Sequence, residues 1–123
     1  MSITARKVLI ADDNRDLAEN LAEILAVEGY EATIADDGEA AVQMATATGS
    51  TVDLVLLDVR MPRKDGVTAC LEILALRAGL PVVLMTAYAS RAEQALAAGA
   101  RSVVRKPVEI DALLDLLTGL GDA

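Results

Sequence analysis

The sequence predicts an α/β fold: a doubly wound five-stranded parallel sheet in the order 2-1-3-4-5, covered by five helices. Three observations predict it. Short continuous apolar runs rich in Val, Ile and Leu alternate with stretches of helical period, five times over. Most of the runs end at a polar residue, and turn signals separate the units. Parallel strands joined through helices cross over right-handed, and five of them leave the doubly wound order as the natural arrangement.

The first run, Val8-Leu9-Ile10, stops at Asp12-Asp13. From Asn14 the period changes. Leu17, Leu21, Ile24 and Leu25 form one helical stripe, with Asn14 as its cap and Gly29 at its end. Ala32-Thr33-Ile34-Ala35 is the second strand, Asp36-Asp37-Gly38 a turn, and Glu39 to Ala47 a helix that closes near Gly49. Leu54-Val55-Leu56-Leu57 is the strongest buried strand and runs into Asp58. Pro62 marks a loop. Asp65-Gly66 opens a helix with Val67, Cys70, Leu71 and Leu74 inward, ending near Gly79. Pro81 precedes strand Val82-Val83-Leu84-Met85, and Ser90 to Ala98 is an alanine-rich helix stopped by Gly99. Ser102-Val103-Val104-Arg105 is a last short strand. Ile110, Leu113, Leu114 and Leu117 make the last helical stripe, with Gly119 and Gly121 expected to fray its end.

The 123 residues fit one domain, 1–123, with a core over about 6–118. Apolar residues make up 54%, which excludes intrinsic disorder. The core must be aliphatic, because Phe and Trp are absent and Tyr30 and Tyr88 stand against 23 alanines. Histidine is absent too, which removes histidine triads and histidine metal sites, and places any phosphohistidine on another molecule. The net charge of −8 lies wholly in residues 1–62, with four basic and twelve acidic side chains; residues 63–123 carry seven of each. Phosphate backbones repel such a chain, so direct nucleic-acid binding is not expected. Cys70, alone among apolar neighbours, reads as a buried structural thiol. Met1 to Lys7 holds no apolar leader and no run reaches the roughly eighteen residues of a membrane span, so a soluble cytoplasmic protein is predicted.

In a parallel sheet the strand C-termini share one edge, and ligands bind there at the switch point of strand order. Asp12 and Asp13 follow the first strand, Asp58 the third, Thr86 the fourth and Lys106 the fifth. The first and third strands are neighbours, so three carboxylates should converge. Their repulsion demands either protonation or a cation. Oxygen donors without His or Cys suit a hard ion, Mg²⁺ above all, with Mn²⁺ as a substitute. Lys106 offers a point charge for a phosphate oxygen and Thr86 a hydroxyl donor, the parts needed for phosphoryl transfer onto a carboxylate. The Lys106-Pro107 bond is a candidate cis peptide that would swing Lys106 over the crevice; a trans turn opening the last helix is the alternative.

With these residues in view, the chain resembles the receiver domain of bacterial two-component response regulators, a flavodoxin-like fold. The resemblance covers residues 6–118. It rests on Val8-Leu9-Ile10-Ala11-Asp12-Asp13-Asn14, Leu56-Leu57-Asp58-Val59-Arg60-Met61-Pro62, Asp65-Gly66, Met85-Thr86-Ala87, Ala98-Gly99-Ala100 and Lys106-Pro107. It implies that Asp58 accepts a phosphoryl group from a sensor histidine kinase or a histidine phosphotransfer protein. It implies that Asp13, Asp58 and the backbone carbonyl of Arg60 ligate Mg²⁺, with Asp12 acting through water. Lys106 would bind the phosphoryl group and Thr86 would report it to a downstream protein effector. The output face of the family is the fourth helix, fifth strand and fifth helix, so a monomer or a weak dimer through that face is expected.

Two positions depart from the family pattern. Val103 stands where a Tyr or Phe is common, and Val108 where a Phe often follows Lys-Pro. Valine has little reach and one preferred rotamer, so Ala87 and Tyr88, just past Thr86, become the candidates for the moving, gating element. Arg60 and Tyr88 would flank the crevice mouth.

Four readings compete. A stand-alone receiver is favoured by the initial Met and by the stop after the last helix. A receiver cut from a longer regulator or hybrid kinase fits the Thr86-Ala87-Tyr88-Ala89 loop. A small Mg²⁺-dependent phosphohydrolase would want an acid two residues after its nucleophile, where this chain has Arg60. A degenerate, binding-only receiver conflicts with the complete acidic set and Lys106.

Overall fold

The computed structural model describes residues 6–121; Met1 to Ala5, on which the leader reading partly rests, and the last two residues lie outside it. Ten elements alternate in chain order. They are β1 (Lys7–Ala11), α1 (Arg15–Val27), β2 (Glu31–Ala35), α2 (Gly38–Thr46), β3 (Leu54–Asp58), α3 (Gly66–Leu76), β4 (Val82–Thr86), α4 (Ala89–Ala97), β5 (Ser102–Arg105) and α5 (Ile110–Gly121). The strands form one parallel sheet in the order β2-β1-β3-β4-β5.

The period of two along each strand divides the core into two layers. Leu9, Ala11, Val55, Leu57, Val82 and Leu84 face one side, where Ala41, Val42 and Ala45 of α2, Ala69, Cys70 and Ile73 of α3, and Ala95 of α4 cover them. Val8, Ile10, Leu54, Leu56, Val83 and Met85 face the other, under Ala18, Leu21 and Leu25 of α1 and Leu113 and Leu117 of α5. Both sides of β1, β3 and β4 are therefore apolar, which is why those strands read as unbroken hydrophobic runs. Alanines on α2 and α4 keep the helices close to the sheet without any aromatic side chain. Cys70 is buried, and burial pushes its thiol up to about 11.

Side chains close the helix starts. Asn14, Asp37 and Asp65 each accept the backbone N–H three residues on, capping α1, α2 and α3. Three expectations need correction. Leu71 is half exposed, because α3 turns Ala69, Cys70 and Ile73 to the sheet and so rotates Leu71 outward. Leu17 is also half exposed, the inward face of α1 being Ala18, Leu21 and Leu25. α5 runs through Gly119 to Gly121 instead of fraying at the first glycine. A glycine costs a helix about 1 kcal/mol, and Leu116, Leu117 and Leu120 packed on the α1-side core offset it. Among the described residues no helix is long and apolar enough to cross a membrane.

Candidate functional site

Strand register places the acids. Ala11 pairs with Leu57 across the β1–β3 seam, so the next residues, Asp12 and Asp58, emerge side by side at the C-terminal edge. Asp58 in turn pairs with Met85, and Thr86 with Arg105, which carries the edge across to β4 and β5. Carboxylate oxygens of Asp12, Asp13 and Asp58 lie within 4.8 Å of one another. Asp12 and Asp58 are buried and Asp13 is exposed.

Lys106 reaches in from the end of β5. Its Nζ donates to Asp12 Oδ2 at 2.9 Å and to Asp58 Oδ2 at 3.1 Å. Its backbone N–H donates to the Thr86 carbonyl at 2.9 Å, and the Lys106-Pro107 bond is cis. Burial pushes the Asp58 carboxyl above the ordinary aspartate range; the Lys106 ammonium pulls against this and the Asp12 charge adds to it. Burial alone would lower the Lys106 pKa, but hydrogen bonds from its ammonium to Asp12 and Asp58 outweigh it and hold the value above that of a free lysine. One ammonium facing three carboxylates leaves the cluster negative. Its all-oxygen donor set fits a hard divalent cation.

Close backbone packing fixes Asp58. Gly66 lies so near the Asp58 carbonyl that a Cβ would have no room, and its N–H donates to the Val59 carbonyl at 2.8 Å. Arg60 donates its backbone N–H to Asp58 Oδ1 at 3.4 Å. An open polar cleft of about 410 Å³ adjoins the cluster, lined by Asp13, the Val59-to-Pro62 loop, Asp65 and Arg91.

Thr86 is buried, and its hydroxyl is turned onto its own loop. It accepts from Tyr88 N at 3.0 Å and donates to the Tyr88 carbonyl at 3.3 Å. Ala87 is exposed, and its carbonyl accepts from Arg105 Nη2 at 3.4 Å. The half-exposed Tyr88 ring lies 5.6 Å from the Arg60 guanidinium, whose Nη1 donates to the Tyr88 hydroxyl at 3.1 Å. Arg60 and Tyr88 thus meet across the loops that follow β3 and β4. Val103 sits apart from this group, opposite Leu84 in the α2–α4 side of the core. Val108 lines a mostly apolar cavity of about 280 Å³ between α1 and the start of α5.

Residues 8–118 match the family profile of the response regulator receiver domain. The chain belongs to that family. The transcriptional regulatory protein PdtaR of Mycobacterium tuberculosis is 43% identical over 112 residues, covering 89% of this chain and 53% of PdtaR. The chain spans about half the length of that relative. A response regulator of Chloroflexus aurantiacus superposes with a TM-score of 0.88 at 30% identity, over 95% of this chain and 98% of the other. The receiver domain of the sensor histidine kinase PA1611 from Pseudomonas aeruginosa superposes with a TM-score of 0.86 at 28% identity, over 96% of this receiver and 99% of that one. That structure has a magnesium ion coordinated in its active-site cleft.

Three features of this receiver escaped the sequence. Arg91, in the first turn of α4, reaches Asp65 Oδ2 at 3.5 Å, and its buried Nε finds no acceptor among the described residues. Arg63 bonds to Asp37 at 2.8 Å from a backbone with φ of 68°. Lys64 bridges Glu39 and Glu72. All but the Lys64–Glu72 pair join residues far apart in the chain, and an arginine at a positive φ carries none of the signal that Gly or Asn would give.

Proposed function

We propose that this chain is a phosphoryl-accepting switch in which Asp58 takes a phosphoryl group from a sensor histidine kinase or a histidine phosphotransfer protein. The observation that carries the reading is the convergence of Asp12, Asp13 and Asp58 around the Lys106 ammonium, with Asp58 buried at the end of β3. Asp13, Asp58 and the Arg60 backbone carbonyl would hold Mg²⁺, or Mn²⁺ in its place, with Asp12 linked through water; the PA1611 receiver supports this choice of ion. The bound ion would neutralise charge on the transferring phosphoryl oxygens.

In the transfer an Asp58 carboxylate oxygen forms the new O–P bond while the P–N bond of the donor imidazole breaks, and the leaving imidazole takes up a proton. Lys106 exchanges one carboxylate partner for a phosphoryl oxygen. The Thr86 hydroxyl leaves the Tyr88 backbone and donates to another. Ala87 and Tyr88 follow it, which releases Tyr88 from Arg60 and alters both the crevice mouth and the face formed by α4, β5 and α5. A downstream protein effector reads that face. The protein works in the cytoplasm, without contact to nucleic acid or membrane, as a monomer or a weak dimer through the same face.

The test is intact mass after incubation with acetyl phosphate and Mg²⁺. One phosphoryl mass is expected on the wild type and none on Asp58→Asn. An unmodified wild type in saturating Mg²⁺, or two stoichiometric sites, would refute the assignment. The length of PdtaR favours a second reading, in which these residues are the receiver part of a longer regulator. The chemistry at Asp58 would be the same, with the output carried by another domain.

A further inference from the structure

The Val59-to-Asp65 loop carries the Arg60 carbonyl and is held at both ends. Its inner end is tied to the sheet, where Val59 N–H donates to the Met85 carbonyl at 2.9 Å and Gly66 N–H returns to Val59. Its outer tip makes a tight turn. The Lys64 N–H donates to the Pro62 carbonyl at 2.7 Å, and Arg63 between them has φ of 68°. Among the described residues Arg63 is the one non-glycine with a positive φ. A three-residue turn of this hand is strained for an L side chain and persists only where its surroundings over-determine it.

Those surroundings are the first turn of α2. Arg63 Nε donates to Asp37 Oδ2 at 2.8 Å, while the other Asp37 oxygen accepts from Ala40 N at 2.8 Å. Gly38 lies against the Lys64 carbonyl with no room for a Cβ. Glu39 Oε2 meets Lys64 Nζ at 3.2 Å, and the same ammonium is held on the α3 side by Glu72. Three consecutive residues of one turn thus grip two consecutive residues of the loop tip. Asp37, Gly38 and Glu39 are not members of the acid cluster. Pro62, its φ locked by the ring, stiffens the short span between Arg63 and Arg60.

We propose that the Asp37-Gly38-Glu39 turn positions the Arg60 main-chain carbonyl by holding Arg63 in its positive-φ turn, and so sets the affinity of the acidic site for a divalent cation. The proposal rests on the reading that this carbonyl is a metal ligand. Asp37 and Arg63 act here as positioning residues. If the grip is cut, Arg63 relaxes to a negative φ and the carbonyl leaves its place.

The experiment is calorimetric titration of the full chain with Mg²⁺, with urea denaturation in chelator as the check on folding. Asp37→Ser keeps a helix cap but cannot hold the guanidinium. Arg63→Ala loses the pair and keeps a Cβ that disfavours the positive-φ turn. Both are expected to weaken Mg²⁺ binding about tenfold, the lower end of what removing a ligand's supporting partner costs. Arg63→Gly loses the pair but adopts the turn unaided, so its affinity should match the wild type. Asp37→Ser added to the Arg63→Gly background should then change nothing. A merely structural turn would lower stability and leave Kd in place. An Asp37→Ser Kd within about twofold of wild type, while Asp13→Ala abolishes binding, would overturn the proposal and leave the metal site standing. Equal losses in Arg63→Gly and Arg63→Ala would overturn it as well, by placing the effect in charge instead of turn geometry. A wild type that takes up no Mg²⁺, or an Asp13→Ala variant that binds as tightly, would remove the metal reading and this proposal with it.

Discussion

β3 and β5 bound the same crevice, yet all five residues of β3 are buried whereas none of the four in β5 is. The helices beside the two walls differ in the same sense. α1 and α3, beside the acids, are capped by Asn14 and Asp65; α4, beside Thr86, starts at Tyr88 with no side-chain cap bond. The acids therefore sit on a fixed frame; Thr86 ends the equally buried β4, and only past it, at the half-exposed Tyr88 and the uncapped α4, does the second wall lose its anchors. Phosphoryl chemistry needs its acceptor in one place, whereas a switch needs an element with two arrangements of similar free energy. On the proposed function, the crevice would divide these tasks between its two walls.

The largest effect should separate the walls chemically. Lys106→Ala leaves Asp12 and Asp58 without their shared cation, and phosphoryl uptake in the intact-mass assay should fall by orders of magnitude. Thr86→Ala removes one hydroxyl, so uptake should persist while effector binding weakens. Equal loss of uptake in both would erase the division.

Next comes packing. Leu57→Ala in the fully buried β3 should cost about 2–5 kcal/mol in urea denaturation. Val103→Ala in half-buried β5 should cost about 1 kcal/mol, by the smaller apolar area it removes, and leave phosphorylation and effector binding unchanged. Comparable losses would mean that β5 is as firmly set as β3.

The caps give a smaller contrast. Asp65→Ala should cost about 1 kcal/mol, because it removes the bond to Thr68 N and the partner of Arg91. Tyr88→Ala removes no cap, so stability should change little while the dephosphorylation rate shifts. Hydrogen exchange should find the α4 amides less protected than those of α1.

The smallest effect is a slope with pH. The folded Asp58 pKa lies above the ordinary 3.8, so the folded state binds more protons there. In chelator, its contribution should make stability fall as pH rises from about 3.8 through that raised value. Lys106 acts at the other end: its raised pKa gives stability that is full below 10.5 and is lost as pH climbs past the folded value. Asp58→Asn in chelator should flatten the acid slope and melt higher near neutral pH. An Asp58→Asn variant with an unchanged slope would show that burial does not penalise this carboxylate.

Five apolar runs, their helical partners and their polar ends were enough to derive the sheet order and to bring Asp12, Asp13, Asp58, Thr86 and Lys106 to one edge. Those features are local or follow from topology: strand period, capping residues and the common direction of parallel strands. The tertiary structure alone decided which of two helical stripes faces the sheet, and it turned Leu71 out where Val67, Cys70, Leu71 and Leu74 had read as one face. It alone carried α5 through Gly119, because leucine packing outweighed a propensity that acts residue by residue. It alone joined Arg91 to Asp65 and Asp37 to Arg63, pairs separated by 26 residues, and it bonded Arg60 to Tyr88, which the sequence places together only as flanks of the crevice mouth. No period or spacing encodes such pairs. They arise where loops from different units meet at the rim, and the meeting point is set by how the helices pack on the sheet.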